Sequence, residues 1–503
     1  MSFEPVFETI NINCKKFEIL EQIKADCRTE IPTEEVGTVL SVSAFASVSD
    51  NQIQDGRLNY FGKVVFYISY IDAQGKLKKC ECGNEFKGVF NDERVSADLT
   101  AFVFASVDKC EYDLSGIKLG VNAFVSVSAE VSGAKQCRAL SHGENIVVNS
   151  NEVKMHKSYG VKTLNFPIDE QYELSYPVEE VLTHRAEAVI TAVQCGVGSI
   201  IVDGEVYCSA ILLQKTEKND IIKENRAFPF RAEIECEDAT PDMHATVKVK
   251  EKSFKIDITV DENSQKSVVS VSVHLIFQGE AFLEEGITVV SDAFSTEQEV
   301  ELIKEETAYY KKLEQRSINA VVSGRAVVEE LPVGAVVFAV GGEKAEVLTK
   351  NCSGENTIVT GIVSAIGFFR DGEGKTFTKN LQIPFECVLD CAFGCDAELG
   401  LIAKPINGRA KIVTLNEIEL DCDLTFTLFP NEKKALKLVS DVKPIKEKVK
   451  NDCALSVYIA LEGEELFSLA KRLNVCPDDL AQSNKDLQFP LTGNERIVIY
   501  RQK

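Results

Sequence analysis

Two groups of closely spaced cysteines and one glycine-rich loop are the places where residue types in this chain could support chemistry. Cys80 and Cys82 stand one residue apart, and Cys387, Cys391 and Cys395 follow with three residues between neighbours, beside Asp390 and Asp396. Thiolates in C-x2–4-C pairs are zinc ligands, but a tetrahedral site needs a second pair or histidines to complete it. None of the five histidines (His142, His156, His184, His244, His274) lies near either group in sequence. The cysteines therefore read as ordinary strand residues, and no metal is expected. The stretch Gly372-Glu373-Gly374-Lys375-Thr376 looks like the end of a phosphate-binding loop, but that loop needs a glycine five residues before Gly374, where Phe369 stands. No amphipathic helix follows to lend its dipole to a phosphate. Neither a G-x-S-x-G elbow nor an H-E-x-x-H pair occurs, and there is no Trp to stack on a sugar ring. The expectation is a non-enzymatic protein without a cofactor. The remaining ligand-binding candidates are Gly463, Glu464, Glu465 and Leu466 in one turn, and Asn484, Pro490 and Leu491 in a later loop.

The elements that would position those residues are short. A strand-like run (Val457, Tyr458, Ile459, Leu461) turns at Gly463, and an apolar helical face follows at Leu466, Leu469, Ala470 and Leu473. A second helix opens at Pro477, whose missing backbone NH suits a first helical position, with Asp478 and Asp479 where the helix dipole favours acids. Leu480 gives this helix its core contact. After Asn484 a loop runs through Phe489, Pro490 and Gly493 to an alternating strand at Ile497 and Ile499. The order is strand, two helices, strand. At these spacings the segment resembles the LysM family, over roughly a tenth of the chain. The resemblance implies a shallow groove between Gly463–Leu466 and the loop from Asn484 to Leu491, which in that family binds N-acetyl-glucosamine polymers such as peptidoglycan or chitin. Glu465 departs from the small Thr or Ser usual there. An acidic side chain at that turn suits a protein partner with basic groups better than a neutral sugar, and the same acids also suit a helix N-terminus.

Composition bounds the rest. The 503 residues imply three or four domains, and 45% apolar residues is ample for sizeable cores. A formal charge of −23 argues against nucleic acid and anionic membrane surfaces, which need clustered Lys and Arg. The start, Met1-Ser2-Phe3-Glu4-Pro5, has neither a basic nor an apolar leader region, and no apolar run approaches the ~20 residues that span a bilayer. A cytoplasmic protein with reduced thiols is expected.

Internal similarity organises the remainder. Gly62 precedes the strand-like Val64, Phe66 and Ile68 and is followed by Phe86. Gly204 likewise precedes Val206, Tyr207, Ala210 and Leu212, with Phe230 following, and Gly361 precedes Ile362, Val363, Ile366 and Phe368, with Phe385 following. The glycines recur at 204 − 62 = 142 and 361 − 204 = 157 residues, a domain-sized period. Glycine and phenylalanine stay 24, 26 and 24 residues apart (86 − 62, 230 − 204, 385 − 361). Gly75 and Gly374 each lie 13 residues after their glycine (75 − 62, 374 − 361), so Asp72–Lys76 and Asp371–Lys375 read as equivalent hairpin turns. Period-two alternation in each unit, as at Val269, Val271, Val273 and Leu275, predicts antiparallel sheets with one face buried. A capping box, Thr296-x-x-Glu299, predicts a helix through Val300, Ile303, Ala308 and Leu313. The charged stretch Lys443 to Asp452 predicts a flexible tether.

The fold class expected is mainly β: three repeated antiparallel, sandwich-like modules with a linking helix, then a small βααβ module. The boundaries read 1–140, 141–290, 291–440 with the helix, a linker over 441–454, and 455–503. Repeated units of this kind, two of them led in by Glu34-Glu35-Val36 and Glu179-Glu180-Val181, followed by a LysM-like segment, resemble the SipL-like family of spore-coat morphogenesis proteins, whose repeats are SPOCS domains. The resemblance implies a non-enzymatic scaffold or adaptor in endospore coat assembly, in the mother-cell cytoplasm at the forespore surface. Its LysM arm would dock onto the polymerising stage IV spore morphogenetic ATPase, alongside other coat proteins, through Gly463, Glu464, Glu465, Leu466 and Asn484. The alternative is a peptidoglycan- or N-acetyl-glucosamine-binding protein acting through the same groove.

Overall fold

The structure is a computed structural model that describes residues 3–216, 220–261, 266–352, 356–391, 393, 397–449 and 455–500. Alternation of buried with more exposed residues runs through the central strands, most regularly over 119–131. In the first unit the strands are β1 (Glu4–Pro32), β2 (Val36–Gln54), β3 (Arg57–Asp72), β4 (Leu77–Asn91), β5 (Thr100–Asp113) and β6 (Lys118–Glu144). They form two antiparallel sheets, ordered β2-β3-β4 and β1-β6-β5. The second unit repeats this with β7 (Val147–Leu174), β8 (Val178–Cys195), β9 (Ser199–Gln214), β10 (Ile221–Glu235), β11 (His244–Asp261) and β12 (Lys266–Phe294), ordered β8-β9-β10 and β7-β12-β11. In the third unit the first strand is broken into β13 (Gln298–Lys312) and β14 (Arg316–Val327). There β15 (Val336–Cys352), β16 (Thr357–Arg370) and β17 (Thr376–Leu389) form one sheet, while β13, β14 and β18 (Ala397–Thr414) all pair with β19 (Glu417–Glu447).

The two sheets of each unit face one another across a core drawn from alternate residues. In the first unit the central strands supply Val64, Phe66 and Ile68 from β3 against Val121, Val125 and Val127 from β6. The second unit sets Val206, Ala210 and Leu212 against Val269, Val271 and Val273, and the third sets Val359 and Val363 against Leu420, Leu424 and Phe426. Each such aliphatic or aromatic side chain, withdrawn from water, contributes roughly 1.5–3 kcal/mol. The recurring glycine and phenylalanine prove to be direct cross-strand partners: Gly62 with Phe86, Gly204 with Phe230, Gly361 with Phe385. Each ring lies over its glycine, where no Cβ stands in the way. The two hairpin turns are also equivalent. Asp72 Oδ1 accepts the backbone NH groups of Gln74 (2.9 Å) and Lys76 (2.8 Å), and Asp371 Oδ1 accepts those of Glu373 (2.9 Å) and Lys375 (2.8 Å). Gly75 and Gly374 take φ of 82° and 89°, a conformation glycine adopts freely. The glycine-rich stretch at 372–376 is therefore a β-turn and not a phosphate loop.

The first and last strands of every unit run on past the sandwich as a two-stranded ribbon. β1 pairs with β6 from Glu4 to Ile12, β7 with β12 from Val147 to Ser158, and β13 with β19 throughout. The three ribbons meet in a shared stalk. Its core includes Ile10 and Ile12 of the first unit, Met155 and Val289 of the second, and Tyr309, Leu436 and Leu438 of the third. A second layer holds Leu140, Val290, Ala293, Val439 and Val442.

Two sequence expectations fail here. The helix predicted over Val300–Leu313 is strand β13, with Val300 and Leu302 packed into the stalk and Tyr309 buried. Ser295 Oγ, not Thr296, accepts the NH groups of Glu297 (3.2 Å) and Gln298 (3.3 Å), and the chain then enters the ladder. A helix would leave the backbone of the far half of β19 without partners, a cost that outweighs a few tenths of a kcal/mol of local propensity per residue. The tether predicted over 441–454 is likewise strand as far as Glu447, where Lys443 faces Glu301 and Lys446 faces Glu299. Residues 450–454 lie outside the described residues.

The three units also touch pairwise beside the sandwiches. Ser69 Oγ of β3 donates to the Leu182 carbonyl of β8 (3.0 Å), and Thr378 Oγ1 of β17 donates to the Leu40 carbonyl of β2 (2.5 Å). Leu182, Ile211 and Ile221 of the second unit pack on Ala339 and Phe368 of the third. Between these two units lies a buried charge cluster. Lys223 Nζ reaches Glu343 Oε1 (2.6 Å) and the Gly408 carbonyl (3.0 Å), and Arg185 lies 3.4 Å from the other Glu343 oxygen. Nearby, Lys404 Nζ bonds Glu251 (2.8 Å) and the Ala188 carbonyl (2.9 Å).

A buried histidine, His156, and a half-buried one, His184, give the assembly a pH dependence. His184 of the second unit lies between Tyr67 of the first and Phe254, at ring separations of 4.3 Å and 5.0 Å. His156 accepts the Lys312 backbone NH at Nδ1 (3.0 Å) in the stalk. Burial, the largest cause in each case, pushes both imidazoles down to about 4. The unfolded chain then binds the proton more readily than the folded one, so stability is complete above the free-histidine value and is lost as pH falls from there towards 4. We expect the thermal midpoint to be level above neutrality and to decline through that window. His184→Phe should flatten the decline; an unaltered profile in calorimetry would assign the acid sensitivity elsewhere.

Candidate functional site

The C-terminal module contains β20 (Leu455–Ile459), α1 (Leu466–Leu473), α2 (Pro477–Ser483) and β21 (Arg496–Tyr500). β20 and β21 pair antiparallel, with Leu455 opposite Tyr500, Val457 opposite Val498 and Ile459 opposite Arg496. Leu469, Ala470, Leu480, Ile497 and Ile499 form its core. Asn474, with φ of 55°, ends α1 in the left-handed region that asparagine tolerates. α2 opens with Pro477 at its first position and Asp478 and Asp479 in its first turn.

The module is fastened to the stalk and does not hang free. Phe467 packs on Phe294 with ring centroids 5.4 Å apart, and Val147 joins the same cluster. Lys471 Nζ bonds both oxygens of Asp292 (2.8 and 2.7 Å), which Lys304 also approaches at 3.0 Å. Burial raises the Asp292 carboxyl, but the two lysines prevail and hold it below the usual range. Asn474 Nδ2 donates to the Thr296 carbonyl (2.9 Å), and Lys448 Nζ bridges Asn474 Oδ1 (2.6 Å) and the Ser295 carbonyl (2.8 Å).

The residues singled out in sequence divide into two kinds. Gly463 NH donates to the Leu491 carbonyl (2.8 Å) and Leu491 NH to the Glu464 carbonyl (3.0 Å), so the two loops are clasped together. Leu491 is buried, and Pro490 is exposed after a cis peptide bond. Glu464 is turned inward: one oxygen accepts the Leu461 NH (2.8 Å) and the other pairs with Arg472, whose guanidinium lies over the Tyr458 ring at 4.7 Å. Asn484 is buried, donating to the carbonyls of Leu480 (2.8 Å) and Val498 (2.7 Å) and accepting the Val498 NH (2.7 Å). These groups hold the module together. Glu465 is the N-cap residue of α1, yet its side chain caps nothing and stands exposed; Leu466 is half-buried against the core. A ligand reaching this turn would therefore meet Glu465, Leu466 and Pro490 first.

One surface escaped the sequence reading. Both faces of the β20–β21 sheet carry apolar residues, so alternation alone did not tell which face turns to the helices. Tyr458, Ile497 and Ile499 do; Leu455, Val457, Ile459 and Leu461 turn outward.

The described cysteines of the two groups sit among apolar neighbours. Cys27 of β1 joins Cys80 and Cys82, and burial together with Cys27 raises the Cys82 thiol, which opposes thiolate formation. Cys387 and Cys391 are buried in the third core, while Cys395 and Asp396 lie outside the described residues. Among the described residues no group of three or more His, Cys, Asp or Glu is placed to hold a metal ion. No described helix is long and apolar enough to cross a membrane.

Residues 177–259 match the family model described as SipL, SPOCS domain. The match runs from the start of β8 almost to the end of β11, the strands that carry Gly204 and Phe230, and it points to a sporulation-related protein. No curated protein and no solved structure matches the chain significantly.

Proposed function

We propose that this chain is a non-enzymatic scaffold in endospore coat assembly, and that its C-terminal βααβ module is a LysM arm that docks onto the stage IV spore morphogenetic ATPase. The observation that carries the reading is the SPOCS match at 177–259, on a unit whose strand pairing recurs on either side of it. Three units locked through one stalk present several surfaces in a fixed relation. Against a polymeric partner, such a layout gains strength by effective concentration with modest individual contacts. The arm projects from the same stalk, which orients it relative to the three units. Exposed Glu465 suits a basic protein surface and obstructs a neutral sugar, so peptidoglycan binding is the lesser alternative.

Pull-down of the purified ATPase tests the proposal. The full chain should retain it, and a chain ending at Val449 should not. Glu465→Arg should weaken capture about tenfold, since one reversed rim charge removes roughly 1.4 kcal/mol of favourable field. Retention by the shortened chain would remove the arm from the account. Co-sedimentation of the full chain with purified peptidoglycan in place of the ATPase would favour the glycan reading.

A further inference from the structure

The outer face of the β20–β21 sheet is apolar and, among the described residues, no other part of the chain covers it. Leu455, Val457 and Ile459 project from it in alternation and are 57%, 61% and 50% exposed, with Tyr500 at 61% beside Leu455; Leu461, just past the end of β20, is 58% exposed. Single exposed apolar residues are ordinary, but four on one face of a small sheet, with Leu461 following directly, are a contiguous patch of the kind that marks an interaction surface. Its polar atoms are confined to the Tyr500 hydroxyl and the Arg496 guanidinium at the edge opposite Ile459. A glycan buried here would leave its hydroxyl and acetamido groups without partners, whereas aliphatic side chains would leave nothing unpaired.

The module's exposed charges select among protein partners. Among the described residues of the module, Glu462, Glu465, Asp478, Asp479 and Asp486 make no ion pair. Two of its bases are already spent, Lys471 on Asp292 and Arg472 on Glu464. Glu462 directly follows Leu461, so unpaired acid borders the apolar strip. A second copy of this chain would bring a formal charge of −23 against the same acids. We infer that the outer face of β20–β21 docks a protein surface of apolar side chains bordered by Lys or Arg, separate from the loops at 463–466 and 490–491. This rests on the reading that the module binds the morphogenetic ATPase, and it names the surface and the chemistry of that contact.

The test uses the full chain and the purified ATPase. Val457→Lys combined with Ile459→Lys places two cations on exposed positions, so the thermal midpoint should hold while affinity falls about 100-fold or more. Glu465→Arg should cost only about tenfold, and wild-type affinity should fall between about 50 and 500 mM salt. Hydrogen exchange on the unaltered complex provides a second readout, with protection expected at 455–461 and 496–500. Full binding by the double-lysine variant, or protection confined to 463–466 and 485–492, overturns the sheet face while leaving the docking arm in place. Salt-independent affinity overturns the basic border. If wild type does not bind the ATPase, the proposed function fails and this inference with it.

Discussion

Glu343→Leu is expected to lower the stability of the contact between the second and third units by about 3–5 kcal/mol, the range for removing one partner of a buried ion pair. The Glu343 side chain is almost wholly buried and accepts the Gly408 NH (2.9 Å) as well as Lys223 Nζ. Burial raises its carboxyl, but Arg185 and Lys223 outweigh that and keep it below the ordinary range, so it carries charge in the fold. Its removal leaves Lys223 and the Gly408 NH without their acceptor and Arg185 without its nearest anion. The cost is desolvated positive charge, not lost packing, and that gives the prediction a second part. Lys223→Met added to Glu343→Leu should return much of the loss, because replacing a buried pair by apolar groups of similar size is often neutral. Denaturant unfolding of the two single variants and the double variant measures the coupling. Additive losses would show that the cluster contributes by shape alone.

Gly361→Ala should cost about 3 kcal/mol, at the upper end of overpacking effects, and the equivalent changes at Gly62 and Gly204 should behave alike. A Cβ on Gly361 would lie 2.5 Å from Phe385 Cζ and still closer to the Glu346 carbonyl; on Gly62 it would lie 2.5 Å from the Ser47 carbonyl. The ring could be cut back, but the carbonyl belongs to the neighbouring strand and cannot yield without parting the sheet. Phe385→Ala should therefore fail to rescue Gly361→Ala, and instead add the loss of a buried ring. Gly75→Ala supplies the comparison: nothing lies within 4 Å of that position, so only its φ of 82° is at stake, worth about 1–2 kcal/mol. Equal losses at Gly361 and Gly75 would remove the strand contact as the cause.

These two predictions stand on unequal footing in the sequence. The glycine and phenylalanine pair was visible because a fixed contact on adjacent strands leaves a fixed spacing, and the same constancy exposed the hairpins at Gly75 and Gly374. Glu343 gave no such sign. Its partners Arg185, Lys223 and Gly408 come from other units or other sheets, and one acid among 78 is anonymous until folding removes the water around it. The same limit applies to the candidate site. Glu464, Glu465 and Asn484 were picked out by type and position, but only packing shows that Glu464 and Asn484 are occupied with internal bonds and Glu465 is not.

Alternation with a period of two was enough to dictate antiparallel sheets, since each residue's face follows from its place along an extended chain. The constant spacing of glycine and phenylalanine divided the chain into three similar stretches. Long-range pairing decided the rest. The segment from Gln298 to Lys312 carries a helix-start signal, but it becomes strand because β19 extends past the sandwich and requires a partner along its whole length. The charged run at 443–447 becomes the end of that strand and not a tether, since its lysines stay solvated on the rim while its backbone completes the ladder. Local pattern states what each residue can do; the stalk, the buried charges and the apolar outer face of β20–β21 exist only because distant strands share one set of hydrogen bonds and one excluded volume of water.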